Sequence, residues 1–153
     1  MARACTLSSV LIAANGVEGP KWFKATAAST IYIGYVVEWE DADEVVYMPT
    51  TKATIITGVA GCPSYHDNTT AFAAGARVPV WMIGCGAEVW VTHDGATGNA
   101  TLAMTFGSPI TFSNTTEGLV ELDDARDIDT IGTLTRYRLI ATGVAANLRV
   151  ILN

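Results

Sequence analysis

The chain has 153 residues, enough for one substantial core without a second domain. Half of its residues are hydrophobic and 16% are charged, which excludes disorder over most of the length, and no apolar run approaches the roughly 18 to 20 residues of a membrane-spanning helix. Fifteen acidic against nine basic residues, a net charge of -6, argue against a polyanion partner, because phosphate binding rests on clustered Lys and Arg, so neither nucleic acid nor membrane is expected as a partner.

Met1-Ala2-Arg3 followed by Leu7 to Ala14 has the outline of a signal peptide, but a single arginine is a thin basic region and Ser8 and Ser9 dilute the apolar part. The segment is read as part of the mature chain. Residues 1–30 are the least regular, with small or turn-forming residues around Gly16, Gly19 and Pro20 and again from Ala25 to Thr30. Such a segment either lies along the body as an edge strand or forms an extended arm that orders against a partner. The adjacent Trp22 and Phe23, between Lys21 and Lys24, favour contact with something, and the division adopted is an arm over 1–30 and a body over 31–153.

Ile31 to Val37 is nearly continuous in apolar and aromatic residues and predicts a deep strand. An acidic loop from Glu38 to Glu44 follows, then a strand from Val45 to Met48, which together read as a hairpin. The stretch from Ile55 to Thr92 holds three short apolar runs punctuated by Pro63, Gly75, Gly84 and Gly86, and predicts the core of a barrel or sandwich. Gly84 and Gly86 permit the positive backbone angles of a sharp hairpin between the second and third runs. Beyond a turn at His93 to Asn99, further strands are expected near 100–104, 109–112, 119–122, 134–141 and 147–152. Helical composition occurs only over 121–131, where the aspartates favour a loop, and no repeat at a fixed period is visible. The expected fold is all-β, a small single-domain barrel or sandwich of eight or nine strands with an extended N-terminal arm.

The chemistry-bearing residues are few. Cys5, Cys62 and Cys85 are an odd number at wide spacings, which points to buried free thiols and a fold independent of disulfides. His66-Asp67 and His93-Asp94 each set an imidazole beside a carboxylate, yet neither spacing matches a metal pattern and both suit turns. Asp123, Asp124, Asp127 and Asp129 lack the alternating ligands and closing glutamate of a calcium loop. Cys62 and His66 form no catalytic pair on sequence nearness alone, and Pro63 between them marks a turn. Gly84-Cys85-Gly86 leads into a strand, not a helix, so there is no phosphate loop. Asn68, Asn99 and Asn114 head glycosylation sequons that a chain rich in threonine produces by chance. No catalysis and no cofactor are expected.

Tyr35-Val36-Val37, then Thr57-Gly58-Val59-Ala60-Gly61, then Phe72-Ala73-Ala74-Gly75-Ala76-Arg77-Val78-Pro79-Val80-Trp81, and finally Gly143 to Asn153 with its Leu148-Arg149-Val150-Ile151-Leu152 strand, resemble the capsid decoration (cement) proteins of tailed bacteriophages. The resemblance spans Tyr35 to Asn153; the acidic loop at 38–44 and the excursion over 105–130 have no counterpart in it. It implies a β-rich body on the outer face of an icosahedral shell, often as a homotrimer, made in the host cytoplasm and carried on the virion. The N-terminal arm would grip the major capsid protein, with Lys21, Trp22, Phe23 and Lys24 as contacting residues. Two other classes stay open: a carbohydrate-binding β-sandwich using Trp39, Trp81 and Trp90 as stacking platforms, and a small hydrolase using His66 or His93.

Overall fold

A computed structural model describes residues 11–13, 19–27, 30–40, 45–47, 56–63, 69–94, 107–113, 116–122, 130–135 and 146–153. Among them there are eleven strands and no helix, so the protein is all-β. The first barrel takes β2 (Lys21–Ala25), β3 (Val36–Glu40), β4 (Val45–Tyr47), β5 (Ile56–Ala60) and β6 (Arg77–Met82). They close in the order β2-β4-β3-β5-β6, antiparallel throughout except for the parallel pair β2–β4. β-branched residues at alternate positions fill its interior: Val37, Val59, Val78 and Val80 are fully buried.

The remaining strands are β1 (Leu11–Ala13), β7 (Glu88–His93), β8 (Pro109–Phe112), β9 (Val120–Leu122), β10 (Thr130–Leu134) and β11 (Ala146–Ile151). They form a sheet in the order β1-β7-β11-β10-β8-β9 that curls until β9 meets β7, in parallel, at the pair His93 and Val120. Burial along β7 alternates strictly, with Val89, Val91 and His93 inside.

The two closed sets have one topology. Replacing β2 through β6 by β7 through β11, in order, reproduces every pairing and its direction. The irregularities match as well. β5 slips against β3 beside Gly58, and β10 slips against β8 beside Gly132. A Cβ on Gly58 would land on the Trp81 carbonyl, and one on Gly132 on the Ile151 carbonyl. Three connecting hydrogen bonds recur: Gly34 N–H to the Ala60 carbonyl and Gly107 N–H to that of Leu134, both 2.8 Å; Ala60 N–H to Tyr35 and Leu134 N–H to Ser108, both 2.8 Å; Gly61 N–H to Pro79 at 2.6 Å and Thr135 N–H to Arg149 at 2.9 Å. Gly34 and Gly107 share a positive φ, 83° and 86°. The chain is thus a tandem repeat of one five-stranded unit, with β1 laid beside the second copy on β7. Equivalent residues include Trp22 and Trp90, Ala25 and His93, Val80 and Val150.

Several expectations are revised by this arrangement. The repeat itself was not visible in the sequence. Residues 21–25, assigned to the arm, are an integral barrel strand held by β4 and β6, so the body begins before residue 31. Gly84 and Gly86 do adopt positive φ, 85° and 79°. They make no hairpin, however, because β6 and β7 belong to different sheets and 83–87 is the crossing from one barrel to the next. Ile31 and Ile33 are buried as expected but precede the strand, which begins at Val36. Cys62 is disulfide-bonded, its partner lying outside the described residues, which corrects the free-thiol reading; Cys85 is free and half-buried. The barrels touch where Val36 N–H donates to the Gly118 carbonyl at 2.9 Å and the Tyr35 ring lies against Gly118.

Candidate functional site

Of the four residues expected to contact a partner, all lie on β2. Alternation of the strand separates them: Trp22 and Lys24 face outward, while Phe23 turns the other way, half-buried against the core. Trp22 keeps 47% of its surface exposed, and Lys21 and Lys24 are exposed on either side. Sequence adjacency had suggested a Trp22-Phe23 anchor; the strand geometry leaves Trp22 as the outward member. Phe23 instead meets Trp39 of β3, ring centroids 5.9 Å apart and tilted by 51°. Trp39 is 42% exposed, whereas Trp81 is buried and Trp90 partly covered.

Pairing with β6 adds a residue that the sequence did not single out. Arg77 lies directly opposite Lys24 and is exposed, and Pro79 lies opposite Trp22. Like charges facing each other across a ladder cost stability. The outer face of β2 and the start of β6 thus gathers the exposed Trp22, Lys24 and Arg77 beside a buried Pro79, on a protein whose net charge is -6.

The second barrel treats the equivalent surface differently. Trp90 stands where Trp22 does, and the Arg149 guanidinium lies over its ring at 5.7 Å from the centroid. Arg149 is held there by Glu88, Nη2 to Oε1 3.1 Å, and the Thr135 hydroxyl donates to the same Oε1 at 2.7 Å. A cation over an indole face is an attractive arrangement that also removes apolar surface from water.

A second cluster of chemistry-bearing groups lies inside the curled sheet. His93 and Asp94 end β7; both side chains are fully buried, with His93 Nδ1 3.7 Å from Asp94 Oδ1. The Ser113 hydroxyl donates to Asp94 Oδ2 and accepts the Thr116 N–H at 3.1 Å. Burial holds the His93 pKa below its ordinary value, opposed by the nearby Asp94 and Glu121 carboxylates. Through these bonds Ser113 ties the end of β7 to the β8–β9 turn. Cys62, being disulfide-bonded, is no nucleophile. His66, Asp67, the sequon asparagines Asn68, Asn99 and Asn114, and the aspartates over 123–129 lie outside the described residues. Among the described residues no group of three His, Cys, Asp or Glu is placed to hold a metal ion, and no helix is long and apolar enough to cross a membrane.

No protein-family model matches this sequence, and no curated protein matches it.

Proposed function

We propose that this protein is a viral capsid decoration protein, which docks on the outer face of an icosahedral shell across subunit boundaries and stabilises it. The observation that carries the reading is the half-exposed Trp22 on a rigid barrel strand, with Lys21, Lys24 and Arg77 around it on an otherwise acidic protein. Aromatic and cationic side chains on a fixed scaffold supply contact area at low entropic cost, as protein-binding surfaces do. A ligand that binds only the assembled shell shifts assembly toward it by mass action, and repetition over a lattice multiplies a modest affinity per site. The function requires no catalysis and no cofactor. The partner is the major capsid protein, the location is the outer surface of the virion, and the oligomer is a homotrimer, whose heterologous contacts close into a ring. The test is co-sedimentation with shells assembled without this protein, followed by their heat release of contents. Wild type binds and raises the release temperature, and Trp22→Ala binds less. Absence of wild-type binding would overturn the reading.

The exposed Trp39, backed by Phe23, favours one alternative, a carbohydrate-binding module that stacks a sugar on that indole. Oligosaccharide titrations that shift tryptophan fluorescence in wild type and not in Trp39→Ala would select it.

A further inference from the structure

Each barrel is closed by one parallel seam, β2–β4 in the first and β7–β9 in the second. Among the described residues the first seam pairs Lys24 with Val45 and Ala25 with Val46, whereas the second pairs only His93 with Val120. The Asp94 N–H adds a bond across it, to the Val120 carbonyl at 3.0 Å. On its other side β7 is held to β11 by six pairs. The thin seam is also where the second barrel carries a titratable group inside. The His93 side chain is fully buried, and the inward residues of the neighbouring strands, Val91, Phe112, Val120 and Leu148, are buried and apolar. In the first barrel Ala25 holds the same position. Among the described residues the charged groups that act on the ring are Asp94 at the end of β7, Oδ1 3.7 Å from Nδ1, and Glu121 on β9. β8 brings no charged side chain, and Arg149 of β11 lies on the outer face over Trp90.

We propose that the β7–β9 seam is an acid-operated gate: protonation of His93 parts β9 from β7 and opens the second barrel, while the first barrel, with Ala25 at its seam, stays closed. An imidazolium among apolar side chains has to regain water. Parting the seam supplies it at the cost of one register pair and the Asp94–Val120 bond, whereas parting β7 from β11 costs six pairs. The charged ring also draws the Asp94 carboxylate toward itself and away from the Ser113 hydroxyl, which loosens the tie to the β8–β9 turn. Burial is the larger influence on the closed form and holds the His93 pKa below its ordinary value, against the pull of the two carboxylates. In the open form the ring meets water, titrates near about 6.5 and takes the proton first. The open fraction is therefore unaffected above about pH 6.5 and rises by about tenfold for each pH unit below it, until the closed-form pKa is reached. The gate exposes the apolar interior around Val91, Phe112 and Val120. This inference does not rest on the capsid-docking reading.

The test is amide exchange of the full chain, followed by NMR between about pH 7.5 and about pH 5 and expressed as protection factors, which divide out the intrinsic pH dependence of exchange. The Asp94 amide, whose bond crosses the seam, is expected to lose protection below about pH 6.5, by up to about tenfold per pH unit. The amides of Thr135, bonded to Arg149 within the same barrel, and of Ala60, bonded to Tyr35 in the first, are expected to keep theirs. In His93→Gln the Asp94 protection is expected to be flat across this range. Protection of Asp94 that holds in acid in wild type overturns the proposal, and so does a His93→Gln chain that keeps the full pH dependence. Thr135 losing protection in step with Asp94 would mean that the whole barrel unfolds, which also overturns it. The carbon-bound protons of the His93 ring give a reading that needs no variant: their shifts are expected to titrate below the ordinary histidine value, and titration at or above that value overturns the gate.

Discussion

Where the interior of the first barrel has Ala25, that of the second has His93, a buried titratable group. The imidazole is fully buried, and burial lowers its pKa more than Asp94 and Glu121 raise it. In the unfolded chain it titrates near its ordinary value of about 6.5. With the folded pKa below the unfolded one, the unfolded state binds the extra proton first, so stability is intact above about pH 6.5 and is lost as pH falls through the folded value. Melting temperature is therefore expected to drop as pH falls below about 6.5, and His93→Gln is expected to flatten that part of the profile. An unchanged pH profile in His93→Gln would remove the imidazole from the account. Ser113 spends its hydroxyl on Asp94 and on the Thr116 amide, which fixes the turn that joins β8 to β9.

At the level of strands, the repeated unit makes paired predictions. Gly58 and Gly132 sit at the same slip in the same strand, each against a neighbouring carbonyl. Alanine at either forces backbone apart, and each substitution is expected to cost about 3 kcal/mol in denaturant unfolding, with similar values for the two. The cover of the second barrel is equally transferable: Pro20→Glu with Pro79→Arg is expected to lay a guanidinium over Trp22 and to lower its quenching by acrylamide. Quenching that remains at the wild-type level would show that the cover needs more than its ion pair. The alternation around Val78, Val80, Val89 and Val91 made these strands legible in the sequence, because side-chain direction is a local property. The repeat was not legible. Trp22 and Trp90, Gly58 and Gly132, Val80 and Val150 match, but connections of different length between them destroy any fixed period. Which strand pairs with which is set by contacts distant in sequence, and so the turn chemistry of Gly84-Cys85-Gly86 suggested a hairpin where the chain instead crosses between barrels. Lys24 and Trp22 could be picked out as residues; Arg77 could not, since only the β2–β6 register brings it to them.

Taken as a whole, the molecule depends on its N-terminal region in ways that an arm-plus-body division misses. The disulfide at Cys62 cross-links the first barrel to a residue outside the described set, and closing a loop in the unfolded chain is worth about 2–4 kcal/mol. Reductant is thus expected to lower the melting temperature, and a Cys62→Ser variant to lose that response. The barrel itself depends on β2. Its residues Lys21 to Lys24 pair with Val80 to Arg77 along β6, and Lys24 and Ala25 pair with Val45 and Val46 on β4. Removing residues 1–24 deletes the strand that closes the ring and leaves two strand edges bare, each a template for pairing with another chain. Removing residues 1–18 spares β2 but takes β1 from the flank of β7 and, with it, Cys5. The shorter deletion is expected to unfold in one cooperative transition, whereas the longer one is expected to aggregate or to lose the first barrel's amide protection while retaining that of the second. Comparing hydrogen exchange of the two deletions measures this directly. A 1–24 deletion whose β4 and β6 amides were as protected as in the 1–18 deletion would mean that the barrel closes without β2, and that Trp22 is carried by a detachable arm after all.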